Sequence, residues 1–119
     1  YKTMNDILLP VKPLTANRLW AGRRFKTKQY DAYRDELLYL LPPIADFPAP
    51  PFAVTYEFGI AATQDLDNCL KGFNDALQIK YGFNDSEIHH MNLTKCIAKH
   101  GKEYIKFRIE HYAGNPTLG

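Results

Sequence analysis

Between Phe52 and Ala61 the chain alternates strictly: Phe52, Val54, Tyr56, Phe58 and Ile60 fall on one side, Ala53, Thr55, Glu57, Gly59 and Ala61 on the other. Successive side chains of a β-strand point to opposite faces, so this stretch is a strand with one apolar face that must be covered. The cover follows at once. Leu66, Cys69, Leu70, Phe73, Ala76 and Leu77 recur at three- and four-residue spacing, which is the period of a helix with one buried stripe. Gly82 then stands where such a helix can end on a left-handed residue. A strand that runs into a helix points to a mixed α and β class.

The rest of the chain fits that class. Asp6-Ile7-Leu8-Leu9, closed by Pro10, reads as an edge strand, since proline cannot donate to a sheet ladder. Val11 to Arg24 has no steady period and reads as a basic loop. From Thr27 to Leu41 the positions Tyr30, Tyr33, Arg34, Leu37, Leu38 and Leu41 give a second helical stripe, ended by Pro42 and Pro43. Pro42 to Pro51 holds five prolines and reads as a stiff, extended crossover. Ile88 to Ala98 and Glu103 to Tyr112 are two further extended runs with a turn at His100-Gly101, most simply a hairpin, and the tail from Ala113 reads as loose. The expected fold is therefore α/β of the α+β kind: a small mixed sheet of about four strands flanked by two helices, one domain over residues 1–119.

The 119 residues suffice for one domain with a core and are too few for two ordinary ones. No apolar run approaches the roughly 20 residues of a membrane span. Cys69 and Cys96 make neither a disulfide framework nor a Cys-based zinc site, which favours a reducing, cytoplasmic setting. Net charge is only +2, but its distribution is uneven. Between Lys12 and Arg34 seven basic residues (Lys12, Arg18, Arg23, Arg24, Lys26, Lys28 and Arg34) face one acid, Asp31. Trp20, Phe25 and Tyr30 are interleaved with them, a mixture that suits attraction to phosphates and stacking on bases, or equally a solvated loop whose aromatics pack inward.

Gln64-Asp65-Leu66-Asp67-Asn68-Cys69-Leu70-Lys71 lies where the strand ends and the helix begins. One carboxylate at a helix start needs no further role, because it accepts orphan N–H groups and complements the dipole. Two in alternate positions are harder to explain that way, since only one can cap and the other adds repulsion that a bound cation would remove. An EF-hand is excluded: its sixth position must be Gly, and here it is Leu70. Few carboxylates, with water and a phosphate completing the sphere, is the habit of Mg²⁺. Lys71, one helical turn after Asp67, serves either as an i, i+4 ion-pair partner or as a point charge against a phosphate. Asp85, in the turn Phe83-Asn84-Asp85-Ser86, is an ordinary turn former, or a further ligand if the strand that follows brings it beside the pair. His89 and His90, adjacent in a strand, point to opposite faces and do not share an ion.

The run Asp65-Leu66-Asp67-Asn68-Cys69-Leu70-Lys71-Gly72-Phe73-Asn74-Asp75-Ala76-Leu77, followed by Gly82 and Asn84-Asp85-Ser86-Glu87-Ile88, resembles the signature of the RusA family of Holliday-junction resolvases (crossover junction endodeoxyribonucleases) of bacteria and their phages. Pro13-Leu14-Thr15-Ala16-Asn17-Arg18, the basic stretch after it and Tyr33-Arg34 are similar to the family's N-terminal region, so the likeness covers nearly the whole chain. It departs from the pattern at Ala61-Ala62-Thr63-Gln64, where many members carry basic residues, and at Asn84, where an acid is common. The resemblance implies a homodimeric endonuclease dependent on Mg²⁺, or Mn²⁺ in its place, that makes paired symmetric nicks in four-way DNA junctions. It implies Asp65, Asp67 and Asp85 as metal ligands and Lys71 as the essential cation. Asn68 is expected to orient the ligands, and Arg18, Arg23, Arg24, Lys26, Lys28 and Arg34 to grip the DNA backbone. Two other readings stay open: a non-catalytic DNA-binding protein using the basic loop 12–34, and a metal-dependent phosphohydrolase acting on small phosphates.

Overall fold

The alternating run becomes the centre of a four-stranded sheet. The computed structural model describes residues 5–15, 20–21, 25–26 and 28–114. In chain order the elements are β1 (Ile7–Leu9), β2 (Trp20–Ala21), β3 (Phe25–Lys26), α1 (Lys28–Leu40), β4 (Phe52–Ile60), α2 (Leu70–Tyr81), β5 (Ile88–Ile97) and β6 (Tyr104–His111). The main sheet has the order β1-β6-β4-β5. β4 is antiparallel to β6, with Tyr56 opposite Phe107, and parallel to β5, with Phe52 opposite Ile88 and Ile60 opposite Ile97. β1 closes the other edge against β6. Within the expected basic loop, β2 and β3 pair as a separate short ribbon, Trp20 with Lys26 and Ala21 with Phe25.

One expectation is overturned. β5 and β6 do not form a hairpin, because β4 lies between them and pairs with both. The six residues from Ala98 to Glu103 step over one strand instead of turning back onto the last one. The burial of the two strands explains the choice. Ile105, Phe107 and Ile109 of β6 are fully buried, as a strand with neighbours on both sides demands, whereas no residue of β5 is buried to that degree, as suits an edge.

Both helices pack against each other and cover one face of the sheet. Tyr33, Leu37 and Leu41, the even positions of β4, Phe73, Ala76 and Leu77 of α2 and the alternate positions of β6 make one apolar cluster. Phe73 sits at its middle, edge-on to Tyr56, Phe58 and Phe107 with ring centroids 5.1, 5.8 and 5.4 Å away. The buried Tyr56 hydroxyl, pushed well above its ordinary pKa by desolvation, donates to Asn74 Oδ1 at 2.7 Å and so ties β4 to α2. The proline-rich connector is anchored too: Tyr81 Oη donates to the Pro42 carbonyl at 2.6 Å, and Phe47 stacks on Tyr81.

The opposite face of the sheet is half-exposed and polar. Tyr104 donates to Glu57 Oε2 at 2.6 Å and holds that carboxyl below its ordinary pKa of 4.5, with Lys106 at 3.5 Å adding to the effect. Gly59 leaves room for the Tyr104 ring, which a Cβ at this position would displace. No described helix is long and apolar enough to cross a membrane.

Candidate functional site

α2 begins as a tighter 3-10 turn, Asp67–Cys69, before its regular turns from Leu70. The turn is fixed from below by Cys69, whose buried side chain joins the core. Its thiol contacts the Asp65 carbonyl at 3.8 Å, and burial pushes its pKa up to about 11, with Asp67 adding to the rise and Lys95 opposing it. With Leu66 and Cys69 facing inward, Asp65 and Asp67 are turned to solvent. Neither caps the helix. The residues at the two cap positions are Leu66 and Cys69, and neither makes a side-chain cap bond. Among the described residues no hydrogen bond or ion pair engages either carboxylate. Capping is therefore excluded for both, and only Asp67, in the first turn, is placed to complement the helix dipole.

The loop that delivers them is held firmly. Lys95 of β5 reaches across to donate to the carbonyls of Ala62 and Gln64, and Gln64 N–H donates to the Ala61 carbonyl at 3.1 Å. Sequence reasoning missed Lys95, and no local pattern could have revealed it, because its partners lie more than thirty residues away in the chain. Asn68 sits half-buried in the 3-10 turn. Lys71 follows on the first turn of α2, but its ion pair is with Asp75, at 3.3 Å, and not with Asp67. The pair is a partly exposed i, i+4 contact worth a few tenths of a kcal/mol. The Lys71 side chain stays 57% exposed. Asp75 also accepts from Tyr30 Oη at 3.4 Å, which links this turn to α1.

Asp85 is elsewhere. α2 carries the chain from the end where β4 finishes back to the end where it starts, and β5, being parallel to β4, begins at that second end. Asp85 opens the 3-10 turn just before β5, with its N–H donating to Gln78 Oε1 at 2.9 Å. Asp65 and Asp67 thus precede α2, and Asp85 follows it, lying alongside its Asn74 and Gln78. The strand opened after Gly82 begins at the end of the sheet opposite to the one where β4 hands over to the pair. Among the described residues, no three His, Cys, Asp or Glu side chains gather closely enough to hold a metal ion. Asn84 and Glu87 form a reciprocal capping box around this turn. That was readable from Asn84-Asp85-Ser86-Glu87, where a polar cap is followed three residues later by Glu.

Of the basic residues assigned to DNA, Arg18, Arg23 and Arg24 lie outside the described residues, and Lys26 belongs to β3. Lys28 is exposed at the first position of α1. Arg34 is held on α1 by Asp35 at 3.2 Å and Asp31 at 3.6 Å, so much of its charge is already matched. A cavity of about 520 Å³ opens between the 12–15 loop, α1 and Gln64. No protein-family model matches the chain, and no curated protein matches it.

Proposed function

We propose that this chain is a Mg²⁺-dependent endonuclease that nicks opposed strands of four-way DNA junctions as a two-fold dimer. The observation that carries the reading is the state of Asp65 and Asp67: two exposed carboxylates in alternate positions, with no cap bond and no ion pair among the described residues, on a loop clamped by Lys95. Holding two such charges together is unfavourable unless something positive joins them.

The donor set fits Mg²⁺, which takes one or two carboxylates and leaves its remaining positions to water and substrate phosphate. When bound, the ion supplies a more acidic water and neutralises charge on the phosphate. The protein's part is positional. Asp65 and Asp67 hold the ion at the strand-to-helix junction, and Asn68 between Asp67 and the core orients them. Lys71, accessible beside Asp75, offers a point charge to the phosphate as negative charge builds on it. Lys28 and its basic neighbours hold the DNA backbone, which makes affinity steeply dependent on salt.

Asp85 enters this scheme from a second chain. β5, which Asp85 precedes, starts at the end of the sheet opposite to the pair, and a two-fold axis crossing α2 would set the Asp85 of each chain against the pair of the other. Paired nicks need two sites in any case, so the dimer serves both purposes. Mixing two inactive variants tests this. Asp67→Asn and Asp85→Asn are each expected to abolish nicking. In a mixed dimer, one site would collect both lesions and the other would be intact, so refolding the two together should restore close to a quarter of parental activity. No recovery, with mixed dimers demonstrably formed, would mean that Asp85 works within its own chain or not at all.

A further inference from the structure

We infer that two copies of this chain join through the free edge of β5, pairing antiparallel so that the two sheets become one continuous sheet. The inference rests on the endonuclease reading for why two chains must meet, and on the sheet itself for where they do.

The two edges of the sheet are built differently. β1 is three residues long and is closed by Pro10, and short strands and prolines are what keep an edge from recruiting another chain. β5 is ten residues long, holds no proline and has no neighbour on its outer side among the described residues. Its one lysine does not guard it, because Lys95 is turned to the carbonyls of Ala62 and Gln64. The register irregularity of the strand falls at its first residues, between Ile88 and His90. Ile97, at the other end, is a large apolar side chain left 74% exposed. An edge of this length presents a row of unpaired backbone groups to any strand that can match it.

The backbone decides which groups are on offer. The Ala98 N–H donates to the Ile60 carbonyl at 2.9 Å, so the groups at that position turn towards β4. Backbone groups alternate along a strand, which turns those of Asn92, Thr94 and Cys96 the same way and those of Met91, Leu93, Lys95 and Ile97 outwards. Antiparallel pairing sets outward residues opposite one another, and the register with Leu93 on the two-fold axis overlaps the strands almost fully. It puts Met91 opposite the partner's Lys95 and Ile97 opposite the partner's His89, with no two like charges face to face. Met91 and Leu93, packed against the core, would carry the apolar layer under the helices across the axis.

The same pairing completes the site, which is why the occupant is a second copy. β4 and β5 run parallel and finish at one end of the sheet, where the loop clamped by Lys95 carries Asp65 and Asp67. The partner's β5 runs the other way and so starts at that end. Asp85 precedes β5 by the single turn Asp85–Glu87. The axis lies at right angles to the sheet and to the direction of α2, and each chain's Asp85 comes to the end that holds the other's acidic pair. A parallel pairing, or a foreign strand, would bring no carboxylate there.

Amide hydrogen exchange on the full chain, with its mass in solution measured by sedimentation, tests the edge without requiring nicking. In the dimer the outward amides of Met91, Leu93 and Lys95 should exchange about a hundredfold or more below their free-chain rates, as the inward amides of Asn92 and Thr94 do. An open edge would leave the outward set near those rates. Leu93→Cys gives a second readout. Directly paired residues of an antiparallel ladder have Cα atoms roughly 5.5 Å apart, within disulfide range, so mild oxidation should link two copies at the axis. The parent's Cys96, off the axis, should not link. A dimer whose Met91, Leu93 and Lys95 amides exchange freely, or a folded Leu93→Cys chain that stays unlinked, would overturn the inference and leave the endonuclease reading standing. A chain that is monomeric at every concentration would overturn both. A linked dimer that binds junctions in Mg²⁺ without nicking them would sink the endonuclease reading and leave the interface.

Discussion

Asp65, Asp67 and Lys71 differ in what their surroundings ask of them. Lys71 has a modest structural partner in Asp75, and the two aspartates have none among the described residues. Replacing Asp67 by Asn removes one negative charge without disturbing a cap or an ion pair. Stability to urea should therefore change little, since relief of repulsion and loss of the interaction with the helix dipole oppose each other. Junction affinity should also hold, while the nicking rate should fall by about a hundredfold or more. A large loss of stability would show instead that Asp67 has a structural task. The pair itself could be read directly from its spacing at a strand-to-helix boundary. The position of Asp85 relative to it could not be read residue by residue, though the elements contained the answer. A strand, a helix and a parallel strand return the chain to the end where it began, so a residue before the second strand is carried away from one after the first.

At the scale of elements, β4 and α2 were plain in the sequence because their periods, two and about 3.6, are strong and uninterrupted. The partners of β5 and β6 were not, since a six-residue link can close a hairpin or cross one strand with similar ease. The available signal was the contrast between Ile105-Lys106-Phe107-Arg108-Ile109, whose apolar positions are all large, and the more polar β5, which marks a central strand against an edge. The polar face of the sheet gives a sharper test of packing. In Gly59→Ala the new methyl group must displace the Tyr104 ring, at a cost of about 1–3 kcal/mol. Moving that ring also removes the hydroxyl that Glu57 accepts. A carboxyl whose folded pKa is lowered stabilises the fold above its unfolded pKa and loses that contribution as pH falls through the folded value. The parent should thus lose stability below about pH 4.5 in part through Glu57. Urea midpoints measured across that range should show a shallower acid limb in Gly59→Ala.

The molecule as a whole buries several weak acids in neutral form. Burial raises the Cys69 thiol from 9.0 to about 11 and the Tyr81 hydroxyl from 10.0 to about 12, and it raises Tyr33 and Tyr56 further. Raised folded values mean that the unfolded chain gives up these protons first. Stability should be undiminished below about pH 9 and decline as pH rises from there towards 12. Thermal melts stepped through that interval check the sign, and a flat profile would contradict the burial described above. For the endonuclease reading, one measurement outranks the others. The purified chain is incubated with a labelled four-way junction and a matched linear duplex, with and without Mg²⁺, and the strands are separated on a denaturing gel. Paired nicks on opposed strands of the junction, requiring Mg²⁺ and absent from the duplex, are the predicted result. Junction binding without nicks, or equal cutting of both substrates, would contradict it.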